Sequence, residues 1–259
     1  MWLRIFAGIV VIVLVAPILV IIPISFTSSS FFQFPPPGYS LRWYNAFFEN
    51  SAWVEAFRLS LSVAIITMLL STILGTMAAL AVAKLNFWGK KAFMAIMVFP
   101  MVIPAIIIAI TLYHSFAPLQ LTNSFLGVTL GHTLIAIPLV FVTVSASLKG
   151  VDKNLELAAM GMGSTPMGAF FKITLPLIRP GLFAGALFAF ITSLDEVIVS
   201  IFLTGSNTKT LPILMWESMK SVIDPSIAVV STFFILITII FYLVNAWFTK
   251  LSRKNKIEI

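Results

Sequence analysis

The sequence predicts an all-α integral membrane protein with six transmembrane helices, and three observations support that fold class. Hydrophobic residues make up 60% of the 259 residues and charged residues only 10%, whereas a water-soluble domain is about one-quarter charged. Six segments are each long and apolar enough to cross a hydrocarbon core of about 30 Å. The basic residues are unevenly distributed between the loops that join these segments. A soluble globular enzyme and a disordered chain are therefore both excluded.

Each predicted span is a stretch of about 20 mainly apolar residues. The six spans are residues 5–26, 59–83, 92–116, 124–147, 182–203 and 226–248. The first span follows Arg4 and could be mistaken for a secretory signal peptide. However, its apolar run is about twice as long as the usual apolar core of such a peptide, and no A-x-A cleavage pattern follows. We therefore expect this segment to be retained as a transmembrane helix.

The basic residues predict the orientation of the spans. With the N- and C-termini in the cytoplasm, 12 of the 16 Lys and Arg residues lie on the inside. The remaining four lie outside, and they are Arg42, Arg58, Lys209 and Lys220. The opposite orientation would violate the positive-inside rule. The net charge of +7 is thus explained by topology and does not indicate nucleic-acid binding.

Two loops are long enough to carry structure of their own within a single transmembrane domain over residues 1–259. The outer loop, residues 27–58, contains three consecutive prolines that stop a helix and several aromatic residues that suit a membrane–water interface. The inner loop, residues 149–181, is predicted to form two short helices joined by a glycine turn. We expect the reversal at Gly161 and Gly163, because glycine tolerates the backbone angles of a sharp turn.

The second helix of the inner loop is expected to start at Thr165, which is followed by proline, and to end near Pro176 and Pro180. The segment from Leu155 to Pro176 resembles the EAA loop of ATP-binding-cassette importer permeases. In that pattern Glu-Ala-Ala is followed by Gly and, after a fixed gap, by Ile-x-Leu-Pro. The residues in register with the pattern are Ala158, Ala159, Gly163, Ile173, Leu175 and Pro176.

One position departs from the EAA pattern, because Leu157 stands where the pattern has its usual Glu, and Glu156 lies one residue earlier. The resemblance implies that the inner loop is a coupling helix docked in a groove of a cytoplasmic ATPase subunit, with Ala158 and Ala159 near its tip. Small residues there would let the surface of another protein approach closely.

Other parts of the chain resemble the polyamine branch of this family, and in particular the second permease subunit of bacterial spermidine/putrescine importers. These parts are Leu41–Tyr44, Pro100 and Pro104, and Ser193–Val197. The resemblance implies a permease in the bacterial cytoplasmic (inner) membrane that forms a path for polyamines. Its implied partners are two cytoplasmic ATP-binding subunits, a second homologous permease and an extracytoplasmic solute-binding protein. The alternative is a permease of the same family that imports iron(III), an amino-acid-like compound or another organic cation.

Two adjacent carboxylates, Asp195 and Glu196, lie inside the predicted fifth span. Each costs about 2.5–3.5 kcal/mol near the bilayer centre on insertion scales, so such residues usually face a polar path. Thr192 and Ser200 are expected on the same helical face as Glu196. The sixth span adds a second polar stripe, made of Ser231, Thr238, Tyr242 and Asn245. Two structural alternatives stay open: a solvated position at the outer helix end, or hydrogen bonds to a partner subunit.

The sequence lacks the motifs expected of a catalytic chain. It contains no phosphate-binding loop, so ATP hydrolysis is expected on a partner, and no spacing that suggests a catalytic triad. With no cysteine and only His114 and His132, neither a metal site nor a cofactor is expected, and both histidines are interpreted as structural. An intramembrane enzyme that uses Asp195 would need a second, spaced acid. A passive channel would not need the glycine-turn docking loop.

The second span carries a stripe of small residues at helical spacing. It consists of Ala64, Thr67, Ser71, Gly75 and Ala78. Small residues let helices approach closely in a membrane, so the stripe predicts a packing face. Its partner is either another helix of this chain or a second permease.

Overall fold

The computed structural model describes residues 2–206, 208–221 and 224–254, and the side chains of all of these except Lys153 and residues 244–254. Two compact units make up the fold. One consists of Met1–Phe57 and Ile213–Ile240, and the other of Arg58–Pro212 and Phe241–Ile259.

The described residues form twelve α-helices. They are α1 (Trp2–Ser25), α2 (Arg42–Glu49), α3 (Ser51–Lys84), α4 (Lys90–Val98), α5 (Ala105–Phe116), α6 (Phe125–Lys149), α7 (Lys153–Gly161), α8 (Pro166–Ala169), α9 (Leu175–Leu194), α10 (Ile198–Leu203), α11 (Leu211–Ser221) and α12 (Ser226–Lys254). Five helical segments among them are long and apolar enough to cross a membrane, or up to six if the bent pair α4 and α5 is one span. The expected helical membrane fold is confirmed at this level.

The third predicted span, residues 92–116, is not one straight helix. α4 ends at Val98, a 3₁₀ turn covers Phe99–Met101, and α5 begins at Ala105. The two helical segments are bent by 102° at this point. Pro100 and Pro104 lie at the bend, and proline there removes a backbone donor and displaces the carbonyl four residues earlier.

The fifth predicted span, residues 182–203, is wrong at both ends. Its helix starts in the inner loop at Pro166, passes through a π turn at Phe170–Thr174, and ends at Leu194. The second helix of the inner loop was expected to end near Pro176 and Pro180, and this expectation is also wrong because that helix continues into the fifth span. The carbonyl that the ring of Pro176 would displace in a regular α-helix belongs to Lys172, which lies in the wider π turn.

The unit that contains α1 and α2 has an aromatic core. The ring of Phe47 is buried and lies 5.3 Å from the ring of Phe233, measured between centroids. The hydroxyls of Ser25 and Tyr44 are 2.8 Å apart. The predicted outer loop therefore carries ordered structure, namely α2 and the first turns of α3.

In the other unit, α3 packs against α6 through the predicted stripe of small residues. The hydroxyls of Thr67 and Ser71 donate hydrogen bonds to α6 carbonyls at 3.5 and 3.4 Å. A Cβ at Gly75 would lie 2.8 Å from the Cβ of Val140, so no larger residue fits without a shift. The stripe is confirmed as a packing face, and its partner is a helix of the same chain.

α6 also packs closely against α9. A Cβ at Gly185 would lie 2.6 Å from the Thr143 hydroxyl and 3.1 Å from the Cα of Val140. Toward the other end of α6, a buried apolar cluster joins α3, α5, α6 and α10, and its members are Val63, Ile108, Ala109, Leu112, Val128, Val199 and Leu203. α6 thus packs against α3, α9 and α10, and it supports the break between α9 and α10 that is described below.

Candidate functional site

The acidic pair, Asp195 and Glu196, lies at a break between two helices. α9 ends at Leu194 and α10 begins at Ile198, so residues 195–197 form a break in the predicted fifth span. The prediction that both carboxylates lie within one continuous helix is therefore wrong. Glu196 has a local role at the break, because its Oε1 accepts a hydrogen bond of 2.8 Å from the backbone N–H of Val199. This bond satisfies one of the donors left free where a helix starts.

The two carboxylates differ in exposure. Asp195 is exposed and Glu196 is half-buried. Among the described residues, no Lys or Arg side chain lies within ion-pair distance of either carboxylate. Within the described part of the chain the pair therefore has no basic counter-ion, which is the property expected of a site for a cationic solute.

A buried histidine lies behind the break. His132, on α6, is 1% exposed. Its Nδ1 lies 2.8 Å from the hydroxyl of Ser193, and its Nε2 lies 2.8 Å from the hydroxyl of Ser200. Ser193 is in the last turn of α9 and Ser200 in the first turn of α10. We call these three residues the His132 bridge, because one imidazole ring joins the two sides of the break.

The predicted polar face of the fifth span is divided by the break. Thr192 is half-buried on α9, whereas Ser200 lies on α10 and is fully buried in the His132 bridge. Tyr242 is 63% exposed on α12, and no hydrogen bond joins it to the acidic pair within the described part of the chain. The side chain of Asn245 lies outside the described residues.

The inner loop has the predicted order of helix, glycine turn and helix. Asp152 caps α7 by accepting a hydrogen bond of 2.9 Å from the N–H of Asn154. Of the two glycines expected at the reversal, Gly163 has a positive φ of +91° and Gly161 does not, so the reversal depends on Gly163. The hydroxyl of Thr165 accepts a hydrogen bond of 3.1 Å from the N–H of Gly168 and thereby caps α8.

The tip of the inner loop exposes mainly apolar side chains. Ala158 is exposed as predicted, whereas Ala159 is buried and cannot be presented to a partner. Of the other residues in the EAA pattern, Ile173, Leu175 and Pro176 are half-buried. The large exposed hydrophobic residues of this surface are Leu155, Leu157, Met162, Met167 and Phe171.

Glu156 makes contacts within the chain. Its two carboxylate oxygens lie 2.6 and 2.8 Å from the ammonium of Lys84 at the end of α3. One of the same oxygens also accepts a hydrogen bond from the hydroxyl of Thr174 in the π turn. We call these three residues the Glu156 cluster. It ties α7 to both α3 and the helix that leads to the acidic pair.

Two clefts in the unit that contains Arg58–Pro212 differ in the chemistry of their linings. One, of about 270 Å³, lies beside the Glu156 cluster and includes Asp152, Leu157 and Met160 in its lining. The other, of about 380 Å³, is lined almost entirely by apolar residues of α4, α5 and α6 around the bend at Pro100. Because it offers no anionic group, the second cleft does not suit a polycation. No group of three or more His, Cys, Asp or Glu able to hold a metal occurs among the described residues.

Ser193 and Lys84 were not among the predicted site residues, and His132 was predicted to have only a structural role. Ser193 is 61 positions from His132, and Lys84 is 72 positions from Glu156. A polar residue in an apolar span needs a partner, and this rule could have drawn attention to His132. It could not have identified the partner, because the pairing depends on how α6 packs against the break.

Comparisons with known proteins agree with this architecture. A family model described as "Binding-protein-dependent transport system inner membrane component" matches residues 71–254. The putrescine transport system permease protein PotI of Escherichia coli (strain K12) is 33% identical over 226 residues, which cover 85% of this chain and 80% of that protein. The spermidine/putrescine transport system permease protein PotC of the same strain is 30% identical over 224 residues, covering 86% and 84%.

A solved structure shares the fold. It is the bacterial alginate ABC transporter in complex with alginate pentasaccharide-bound periplasmic protein. One of its chains aligns with a TM-score of 0.68 at 14% identity, over 98% of this chain and 93% of that chain. At this level of identity the likeness shows the fold alone.

Proposed function

The chain belongs to the family of binding-protein-dependent transport system inner membrane components, and from this premise we propose that it forms the path for polyamines through an ATP-driven importer. The observation that carries the proposal is the acidic pair at the helix break, which has no basic partner among the described residues. PotI and PotC, which are 33% and 30% identical to this chain, are named for putrescine and for spermidine/putrescine transport.

The chemistry of a polyamine suits such a site. Ammonium groups give up their hydration reluctantly, and carboxylates replace part of it through charge-assisted hydrogen bonds. Asp195 is exposed and free to make such bonds, whereas Glu196 already accepts one bond from the Val199 N–H. With Asp195 as a free acceptor and Glu196 as a partly occupied one, the pair would bind a cation weakly enough to release it, as transport requires.

We infer the partners from the family and from the exposed surface of the inner loop. The exposed apolar tip of the inner loop would dock on a cytoplasmic ATP-binding subunit, two of which would serve the complex together with a second, homologous permease. A binding protein outside the membrane would deliver the solute. The single transmembrane domain over residues 1–259 would lie in the bacterial inner membrane with both termini in the cytoplasm. Thr192 and Tyr242 would line the path beside the acidic pair.

The test is solute uptake by membrane vesicles that contain the complete importer. Asp195→Asn and Glu196→Gln should each reduce putrescine or spermidine uptake at least about tenfold, the loss expected when a charge-assisted contact of about 1.5–3 kcal/mol is removed. Glu55→Gln is the matched control, because it removes an exposed carboxylate of α3 that lies outside the break.

Two further measurements separate a lost solute contact from a general defect of the importer and test the solute class. ATPase stimulation by the loaded binding protein should persist in both variants, since docking uses other surfaces. Competition with a monoamine, an amino acid and an inorganic anion tests the solute class. Normal polyamine uptake by both variants, loss of uptake only through failed assembly, or uptake of another solute that polyamines do not inhibit would each contradict the proposal.

A further inference from the structure

Both ring nitrogens of His132 have a hydrogen-bond partner in the His132 bridge. A neutral imidazole has one N–H donor and one acceptor nitrogen, and a serine hydroxyl can serve in either role. One serine therefore accepts from the ring and the other donates to it. Ser193 and Ser200 are 3% and 0% exposed, so neither hydroxyl can turn to bulk water instead. Loss of any member leaves buried polar groups without a partner, which is unfavourable.

Close packing holds the bridge in place. Gly131 precedes His132, and a Cβ there would lie 2.6 Å from Leu203 Cδ1 and 3.0 Å from Val199 Cγ1. α6 and α10 therefore touch at the glycine and are hydrogen-bonded at the next residue. α10 has little freedom to move away from α6 while both contacts persist.

The bridge brackets the acidic pair along the chain. Ser193 is two residues before Asp195, and Ser200 is four residues after Glu196. The Glu196 carboxylate is in turn bonded to the N–H of Val199, the residue adjacent to Ser200. The two helices on either side of the three-residue break are thus hydrogen-bonded to one ring.

We propose that His132 is a positioning residue that sets the geometry and the electrostatic field of the acidic pair through Ser193 and Ser200. The role of that field in transport rests on the proposed polyamine path, but the effect of His132 on the position of the acidic pair does not. His132 would act at a distance from the solute. Its loss would leave the carboxylates present but misplaced.

The experiment measures the electrostatic field at the acidic pair directly and needs no polyamine. Because the chain has no cysteine, Asp195→Cys gives a single thiol on this subunit, at an exposed position. The thiol is allowed to react, in vesicles with the assembled importer, with a trimethylammonium-ethyl and a sulfonato-ethyl methanethiosulfonate. The ratio of the two rate constants cancels the thiolate fraction. Dividing it by the same ratio for a small free thiol removes the difference in intrinsic reactivity, so this normalised ratio reports the local charge.

We expect the cationic reagent to be favoured about tenfold because of Glu196, and Glu196→Gln to remove most of that preference. Ser193→Ala, Ser200→Ala and His132→Gln should each reduce the ratio at least about threefold. Thr133→Val is the matched control. Thr133 is also buried on α6, but its hydroxyl bonds only within the helix, to the Thr129 carbonyl at 2.7 Å.

The serine variants each delete one hydroxyl, so they keep the test decisive if His132→Gln does not assemble. An unchanged ratio in the assembled serine variants, or an equal change in Thr133→Val, would overturn the positioning role. If the ratio changes as expected while polyamine uptake proves absent from the wild type, the proposed solute fails and the role of His132 stands. A ratio insensitive to Glu196→Gln would also overturn the inference, since the field would not come from the acidic pair.

Discussion

Gly163 occupies a backbone conformation that other residues adopt only under strain. Its φ is +91°, and no atom lies within 4 Å of the position a Cβ would take, so the conformation and not the space requires glycine. Gly163→Val should strain the turn by about 1–3 kcal/mol. We expect this change to uncouple ATP hydrolysis from transport, measured as uptake and ATPase activity in the same vesicles.

Two substitutions separate backbone strain from other effects at this turn. Asn tolerates a positive φ better than other residues, so Gly163→Asn should retain more uptake than Gly163→Val. Gly161→Ala should be nearly neutral, because Gly161 has no positive φ and no atom near its Cβ position. Wild-type uptake with normal ATPase stimulation in Gly163→Val would show that this turn has no coupling role.

Single residues were predictable where the chemistry is local. The helix start at Thr165 and the reversal at Gly163 follow from residue types within a few positions of one another, and the structure confirms both. The role of His132 was not predictable in this way, because both of its partners are more than 60 positions away. The inward position of Ala159 likewise depends on tertiary packing.

At the scale of helices, the Glu156 cluster links α7 to α3 and to the π turn. The Lys84–Glu156 pair is partly exposed, so it contributes on the order of 1 kcal/mol. Glu156→Lys and Lys84→Glu should each lower coupled uptake several-fold, because like charges would push α7 away from α3. The charge-swapped double variant should recover part of the loss, but not the hydrogen bond of Thr174.

Lys91→Glu provides the control for this charge reversal. Lys91 is exposed and lies just after the loop that follows α3, but it does not belong to the Glu156 cluster. Uptake and ATP hydrolysis are compared at equal amounts of assembled complex. A double variant no better than either single variant would show that the ion pair does not hold α7 in its working position.

Helices were predictable from apolar length, but their interruptions were not. Proline marked the bend between α4 and α5, although the same residue type is accommodated inside α9 at Pro180. The break at residues 195–197 contains no proline or glycine. It is stabilised by the local Glu196 cap and by the His132 bridge, and the bridge can form only when α6 is in place.

At the scale of the molecule, one continuous helical segment joins the inner loop to the acidic pair. The segment Pro166–Leu194 has 29 residues, or about 44 Å at 1.5 Å per residue. Its first part contacts the Glu156 cluster through Thr174, and its last turn carries Ser193 of the His132 bridge. A displacement of the inner loop can therefore reach the break through one helix, which gives the proposed coupling a physical route.

The structure also makes the membrane orientation testable. The Lys84–Glu156 contact places the loop after α3 at the same end as the inner loop. α6 spans about 38 Å at 1.5 Å per residue, so the loop before it, near Leu119, lies at the opposite end. Lys84, Lys90, Lys91 and Lys149 lie at the inner-loop end, and the positive-inside rule assigns that end to the cytoplasm.

Single cysteines introduced into the cysteine-free chain test this orientation. Trp88 and Leu119 are 99% and 65% exposed, so Trp88→Cys and Leu119→Cys present accessible thiols in two loops at opposite ends. A membrane-impermeant maleimide added to spheroplasts should label Leu119→Cys at once and Trp88→Cys only after the membrane is permeabilised. The unsubstituted chain gives the background. Labelling in the reverse order would place the inner loop outside the cell, where no ATPase could bind it, and would contradict both the orientation and the proposed coupling.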